Sequence, residues 1–543
     1  MRVLLSLLLL VSVAAAHAQP VALVPEVTVQ RLATVAGGTA RIVYESTTGA
    51  LYTLTTNGDV FRWAPPYSAG VLVASTAQHG LPGNVQGLAI GPTGTLYLTG
   101  NLFEGATETG VVKRGTPNGS GGYTWATVAQ TVAFVRSASG FDHLMNGIVV
   151  SPDGAWLTVN QGSRTEHGEV QTNGGAAPGA REMPITSLLL RLQATATGLT
   201  LPNDEAALQA GGYLYADGFR NSFDLAYDAD GQLYATENSG DRDDNDELNR
   251  IVQGGHYGFP WRLGTHDTPQ RVPGYNVETD LLVNHAAAGY INGTFHDDPT
   301  YPAPPAGVTF RDPVVNVGPD ADRYRDAATG EIRDASSRGE AMATFTSHRS
   351  PLGLTFDPGA LPPPYTRDGF VLSWTDGNAA NAGASPLLSP FGDDAQDLLH
   401  LDFLSPDTVS ATRIVSGFEG PMDAVLVFRT MYVVEIGASS GLWAVQFRDL
   451  TATEPEAGLE AAVRVAPNPF QAAARVTVDA ARTAAYQIDV TDVLGRRVAT
   501  LHEGVLPAGR HLFTLDGTRL PAGLYLVRVA GPDGVTTRRV VRG

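Results

Sequence analysis

The 543-residue chain has no cysteine. Disulfides, thiolate metal sites and cysteine nucleophiles are therefore excluded, and stability must come from packing and bound ions. Lysine is nearly as scarce: Lys113 is the only one among 36 basic residues, which removes most Schiff-base chemistry. Positive charge as a whole is outweighed, since 55 acidic residues set the net charge at −19. Nucleic acid, whose binding needs a basic footprint, is not an expected partner. Long apolar runs are also missing. None past the N-terminus approaches the roughly 18 residues that a spanning helix needs, so no transmembrane segment is expected in the mature chain.

What is present begins with an export signal. Arg2 supplies a positive start, Leu4 to Val13 an apolar stretch, and Ala16-His17-Ala18 a small-x-small cleavage pattern. Residues 1–18 are thus expected to be a signal peptide, the mature chain to begin near Gln19, and the protein to be secreted or surface-bound by way of the periplasm.

A hairpin pattern then recurs six times: a hydrophobic strand, a turn built on Asp, Gly or Pro, and a second strand rich in Tyr, Leu, Val and Thr. It starts near Ala40, Val85, Asn146, Phe223, Pro351 and Met422. Alternation puts apolar side chains on one face, and P-x-G or D-x-D-G closes the turn. Six such copies predict an all-β fold, a six-bladed β-propeller over 19–450. A polar, Pro- and Asp-rich insertion (about 264–342) is expected to decorate one of its faces. Residues 451–462 read as a linker. Beyond them, 463–543 alternate through about seven strands, the size of a small C-terminal β-sandwich. That stretch carries 11 Arg against six acidic residues, opposite in sign to the rest of the chain.

The C-terminal motifs PNPF, DVLGR and LPAGLYLVRV resemble the type A sorting domain of type IX secretion substrates. The resemblance implies that the type IX machinery is a partner. The segment GFRNSFDLAYDADGQLYATENSGDRDDNDELNRIVQGGHYGFPW (218–261) resembles the glucose/sorbosone dehydrogenase family of soluble quinoproteins through Arg220-Asn221, Leu225-Ala226-Tyr227, Asp246-Glu247-Leu248-Asn249 and Gly254-Gly255-His256-Tyr257-Gly258-Phe259-Pro260. The family fold is a six-bladed propeller, in agreement with the repeats.

The resemblance implies roles. Arg220 and Asn221 would contact pyrroloquinoline quinone (PQQ), a tricarboxylate that a guanidinium suits. A calcium ion would sit on main-chain oxygens in the stretch Asn238-Ser239-Gly240-Asp241, with Ser239, Gly240 and Asp241 as ligand candidates. Asp241, Asp243, Asn245 and Glu247 also alternate in the manner of a calcium loop, although without its glycine. His143 in DHLMNGIVVSPDG aligns with the family's general base, and neighbouring Asp142 is expected to orient it. His348-Arg349, in SHRSPLGLTFD, are expected to line the same face, with His348 a candidate for the cofactor.

There are departures. The family has Gly-Asp where this chain has Asn160-Gln161-Gly162-Ser163, its cofactor lysine has no counterpart in Lys113, and its last-blade arginine is replaced by Gly420-Pro421. The expected function is a secreted PQQ- and calcium-dependent oxidoreductase acting on a sugar or polyol hydroxyl. The alternative is a non-catalytic propeller that binds glycan or a protein partner.

Overall fold

A computed structural model describes residues 19–437, 440–449, 463–480, 482–492, 496–531 and 534–543. The expected signal peptide and the 451–462 linker lie outside them. The chain divides into two compact units, Met1–Arg448 and Asp449–Gly543.

The first unit is all-β, and the turn chemistry explains how its hairpins form. In the Asp228–Gly231 turn the Asp228 carboxylate accepts the Asp230 and Gln232 amides at 2.9 and 2.8 Å. In the 151–154 turn Asp153 accepts the Ser151 hydroxyl and the Ala155 amide. Short acidic side chains satisfy the amides that a tight reversal leaves open. The strands on either side pair in register, Leu225 with Ala235 and Val149 with Thr158.

Six sheets of three or more strands result among the described residues of this unit. Their first strands are Thr39–Glu45, Val85–Ile90, Met145–Val150, Leu225–Tyr227, Pro351–Phe356 and Pro421–Val427. Each of these packs against the next, and the last packs against the first, so the sheets form a closed β-propeller ring. Closure is secured by the N-terminal strand Val27–Thr34, which pairs with Gly441–Phe447 and completes the sheet begun by Pro421–Val427. Apolar clusters fill the spaces between neighbouring sheets; one joins Leu88, Leu96 and Leu98 to Leu54 and Val60 of the sheet before.

The insertion holds little regular structure: a one-turn helix, Ala288–Ile291, and the ribbon Arg323–Arg325 with Ile332–Asp334. Its strand Val315–Asn316 joins the fifth sheet beside Thr408–Ser416. It does more than decorate a face, because several of its residues brace the cavity described below.

The second unit has seven strands among its described residues, in two sheets. One is built from Val463–Ala466, Ala473–Ala480 and Gly509–Asp516; the other from Ala484–Asp492, Arg497–Leu506, Gly523–Gly531 and Gly534–Arg542. Alternate residues of both sheets, among them Val476, Val478, Ile488, Val490, Val527 and Val529, share one buried core. Among the described residues no helix is long and apolar enough to cross a membrane.

Candidate functional site

In an antiparallel sheet the start of the first strand and the end of the second lie at the same end. Segments in those positions in the third to sixth sheets converge at one mouth of the ring. They line a cavity of about 1210 Å3, which brings together His143, Arg220, Asn221, Ser239, Gly240, Asp241 and His348. All seven lie in the segments between strands, where the chain is free to face the cavity.

His143 precedes Met145–Val150. Its Nδ1 lies 2.9 Å from Ser163 Oγ, whose hydroxyl donates to the Thr165 carbonyl at 2.9 Å. Ser163 therefore accepts from Nδ1–H, and the lone pair of His143 is left on Nε2. Burial deep in the cleft, with the Arg220 charge added, holds the imidazole pKa well below 6.5. The side chain fits only because residue 162 is glycine: a Cβ there would lie 2.5 Å from His143 Cβ. Asp142 does not orient His143, contrary to expectation. Its carboxylate closes its own loop by accepting the Ser137 and Ala138 amides at 2.8 and 2.7 Å. The orienting group is Ser163, at one of the positions where the sequence departs from the family pattern.

Arg220 and Asn221 are pinned from below by Glu237, at the end of Leu233–Glu237. One carboxylate oxygen accepts both of their amides, at 2.6 and 2.5 Å, and the other accepts the Ser222 hydroxyl. Burial raises the Glu237 pKa to about 7. The Arg220 guanidinium is 2.9 Å from the Glu166 carbonyl, 2.8 Å from the Ser239 carbonyl and 3.8 Å from the Glu166 carboxylate. It thus braces the loop after the strand as well as facing the cavity. Burial opposes the charge on Glu166, but His167 and Arg220 outweigh it and hold the pKa at about 2. Asn221 accepts from Asn146 Nδ2 at 2.9 Å, and Asn146 in turn accepts from Asn160 Nδ2 at 2.7 Å.

The expected metal residues divide. Ser239 donates its amide and hydroxyl to Asp246 and offers its carbonyl to Arg220. Asp241 donates its amide to Glu166 and accepts the Gly289 amide of the insertion at 2.6 Å. Burial, followed by repulsion from Glu166, raises the Asp241 pKa. The alternating Asp241, Asp243, Asn245 and Glu247 do not form a calcium loop. Asp243 pairs with His348 and Arg325, Asn245 donates to the Phe345 carbonyl, and Glu247 takes the Gly264 amide and the Asn249 amide group. Residues 241–246 form a loop between Leu233–Glu237 and Glu247–Ile251, and each of the four side chains takes a different partner, so sequence alternation alone does not gather them.

A different trio does converge. Glu166, His167 and Glu169 place one ligating atom each within 4.8 Å of one another, all buried. Glu169 is already engaged by the Glu166 and His167 amides. The His167 ring is stacked on Phe295 of the insertion, with 4.8 Å between centroids. The trio is a hydrogen-bonded brace behind Arg220 and Asp241. The sequence offered only the spacing E-H-x-E as its signal.

His348 lines the cavity with Nε2 2.7 Å from Asp243. Burial disfavours its charged form, but Asp243, Asp246 and Asp241 outweigh that and raise its pKa. Arg349, expected beside it, turns away into the fifth sheet and is fully buried between Asp393 and Asp397. Lys113 donates to Thr127 on the neighbouring strand and is no part of the cavity. The far wall consists of Trp374, Thr375, Asp376, Asn378, Asn381 and Ser385 after the strand Gly369–Ser373, with Gly417 to Gly420 facing them.

Residues 31–280 match the family model described as Glucose / Sorbosone dehydrogenase. Residues 464–542 match that of the Secretion system C-terminal sorting domain. No curated protein matches the chain. Among solved structures, the soluble aldose sugar dehydrogenase of Escherichia coli in its apo-form is 16% identical, with 78% of this chain and 100% of that chain covered and a TM-score of 0.48. The PQQ domain of pyranose dehydrogenase from Coprinopsis cinerea, in holo form, is 12% identical over 79% and 97%, with a TM-score of 0.47. The PQQ-bound aldose sugar dehydrogenase from Streptomyces coelicolor is 14% identical over 77% and 97%, with a TM-score of 0.43.

Proposed function

From the match of residues 31–280 to the glucose/sorbosone dehydrogenase model and of residues 464–542 to the secretion-system sorting-domain model, we propose an exported oxidoreductase that oxidises a sugar or polyol carbinol, taking hydride from its C–H and the proton from its hydroxyl. The observation that carries the reading is the convergence of His143, Arg220, Asn221, Ser239, Gly240, Asp241 and His348 on one cavity. We read the ring of six sheets as a six-bladed propeller, with the cavity at its mouth. The two sheets of the second unit read as a β-sandwich that serves type IX export, and 1–18 as the signal peptide that precedes it.

The side chains present suit a cation and an anionic quinone. Asn238 Oδ1 borders the cavity, is buried and has no hydrogen-bond partner among the described residues. It stands beside the Ser239 carbonyl and the carboxylates of Asp241 and Asp246, both pushed up by burial. An oxygen-rich, electron-rich corner of this kind is the donor set a hard cation takes. Arg220 and the positively poised His348 would meet the carboxylates of a quinone. PQQ held by Arg220, Asn221 and His348, with calcium at the Asn238–Asp241 oxygens, would supply the two-electron acceptor. His143 does the protein's share of the proton transfer. Its Nε2 takes the substrate hydroxyl proton, while Ser163 keeps the ring in the tautomer that leaves Nε2 free. A low pKa keeps the imidazole neutral at ordinary pH.

The reading is tested by dye reduction with the mature chain, a sugar and polyol panel, PQQ and calcium. Turnover should need all three additions; no turnover with any donor would refute it. A second reading, a glycan-binding propeller without redox chemistry, draws on one observation. The far wall of the cavity carries no cationic side chain, and Gly420 stands where the family's arginine is expected. Sugar binding without turnover would establish that reading instead.

A further inference from the structure

Of the six tryptophans, Trp63 and Trp443 are buried and Trp125, Trp156 and Trp261 half-buried. Trp374 alone is exposed, at 42%, and it lines the cavity. An indole left in water costs free energy unless something covers it. Its position is built rather than incidental. Strand Gly369–Ser373 ends just before it, and its amide donates to the Ser350 carbonyl at 3.0 Å. Gly420 makes room for the ring: a Cβ there would come within 3.1 Å of Trp374 Nε1 and 3.4 Å of Cδ1, with Ile436 Cγ2 also at 3.4 Å. Residue 420 also has φ +64°, a conformation that side-chain-bearing residues rarely adopt. Backbone and side chain thus cooperate to stand an indole at the open wall.

The surroundings of the ring define its ligand. Thr375, Asp376, Asn378, Asn381, Ser385 and Gln396 line the same wall. Hydroxyls, amides and a carboxylate beside an exposed aromatic face match a sugar, which offers a C–H face to the ring and hydroxyls to the polar groups. Asp376 and Glu419 make the wall acidic, which favours an uncharged sugar over a uronic acid. Size points further. At about 1210 Å3 the cavity exceeds the roughly 300–1,000 Å3 usual for small-molecule pockets, and the Trp374 wall lies outside the His143–Arg220–Asp241 group.

We infer that Trp374 and the 375–385 wall form a subsite for a second sugar unit, so that the preferred ligand is a neutral oligosaccharide rather than a monosaccharide. The inference rests on the carbohydrate reading above but not on turnover.

Calorimetric titration of the full mature chain, without PQQ or calcium, tests it with glucose, α- and β-linked glucose dimers to tetramers, mannose oligomers and galacturonate trimers. At least one neutral series should bind about tenfold tighter as a trimer than as its monomer, and galacturonate trimers should bind more weakly. Trp374→Ala should remove most of that tenfold gain while changing monomer affinity less than about twofold, and Trp374→Phe should restore part of it. A melting temperature unchanged by either substitution separates lost binding from lost folding. Affinities independent of chain length throughout the panel, or a length dependence intact in Trp374→Ala, would overturn the subsite. The dye assay separates the two proposals. Length-dependent binding without turnover removes the oxidoreductase and keeps the subsite; turnover with one KM for monomer and trimer does the reverse.

Discussion

The two walls of the cavity differ in origin and in chemistry. One wall, from His143 to Asp246, lies inside the region matched by the family model and concentrates titratable groups. There Arg220 is held by two carbonyls and a carboxylate, and Glu166 behind it by an amide and a histidine. The other wall, from Trp374 to Gly437, lies beyond the match and offers an indole, amides, hydroxyls, backbone and the carboxylates of Asp376 and Glu419, with no cationic side chain. The contrast teaches that chemistry and recognition are separable here. Groups that must hold a defined charge sit in a braced, partly dry corner, and groups that only need to touch a ligand sit on an irregular, exposed loop.

That comparison can be broken most severely at His143. His143→Ala should lower turnover by about 10²–10⁴-fold with little change in melting temperature, since a proton acceptor is lost and no brace is removed. Equal turnover in the variant would move the base elsewhere. Arg220→Ala should act on stability first. It leaves the Glu166 and Ser239 carbonyls without that donor and the buried Glu166 carboxylate without its guanidinium neighbour, at a cost of about 3 kcal/mol or more in urea unfolding. A loss of cofactor affinity with unchanged stability would show that the bracing contacts contribute little.

Calcium should act on the same wall. A cation held only by the folded state at 100 times its Kd would add about 2.7 kcal/mol, read as a rise in melting temperature that a chelator reverses. Indifference to both would remove the cation from the site.

The smallest expected effect is a displacement of the pH profile. Protonation of His143 Nε2 stops it from accepting a proton, so the rate falls as pH drops through its pKa, and the depressed pKa puts that limb on the acid side of 6.5. Ser163→Asp would set a carboxylate at Nδ1 and should move the limb toward neutral pH by about one unit or more. A limb that stays in place would mean that residue 163 does not govern the base.

How much of this was legible in the sequence follows from how local each feature is. The hairpins were, because their turns are closed by neighbours such as Asp228 and Asp153 within a few residues. Arg220, Asn221 and the 239–241 stretch share one contiguous motif, and the short Leu225–Glu237 hairpin brings its ends together. Closure of the ring was not legible, since Val27–Thr34 meets Gly441–Phe447 from the other end of the unit. Ser163 was noticed as a departure, but its bond to His143 exists only across the folded hairpin. His348 and Arg349 illustrate a further limit. They are adjacent in sequence, yet one faces the cavity and the other lies among buried carboxylates, a divergence that sequence spacing does not reveal. Trp374 gave no signal by itself, because its meaning depends on the space left by Gly420.

The central claim is that the braced wall holds an acceptor for electrons taken from a sugar. Equilibrium titration of the purified mature chain with PQQ, in the presence and absence of calcium, tests it most directly. The account predicts a single site of micromolar affinity or tighter that depends on calcium and weakens in Arg220→Ala. Absence of PQQ binding at micromolar concentration with calcium present would contradict it, and would leave the cavity as a glycan-binding site.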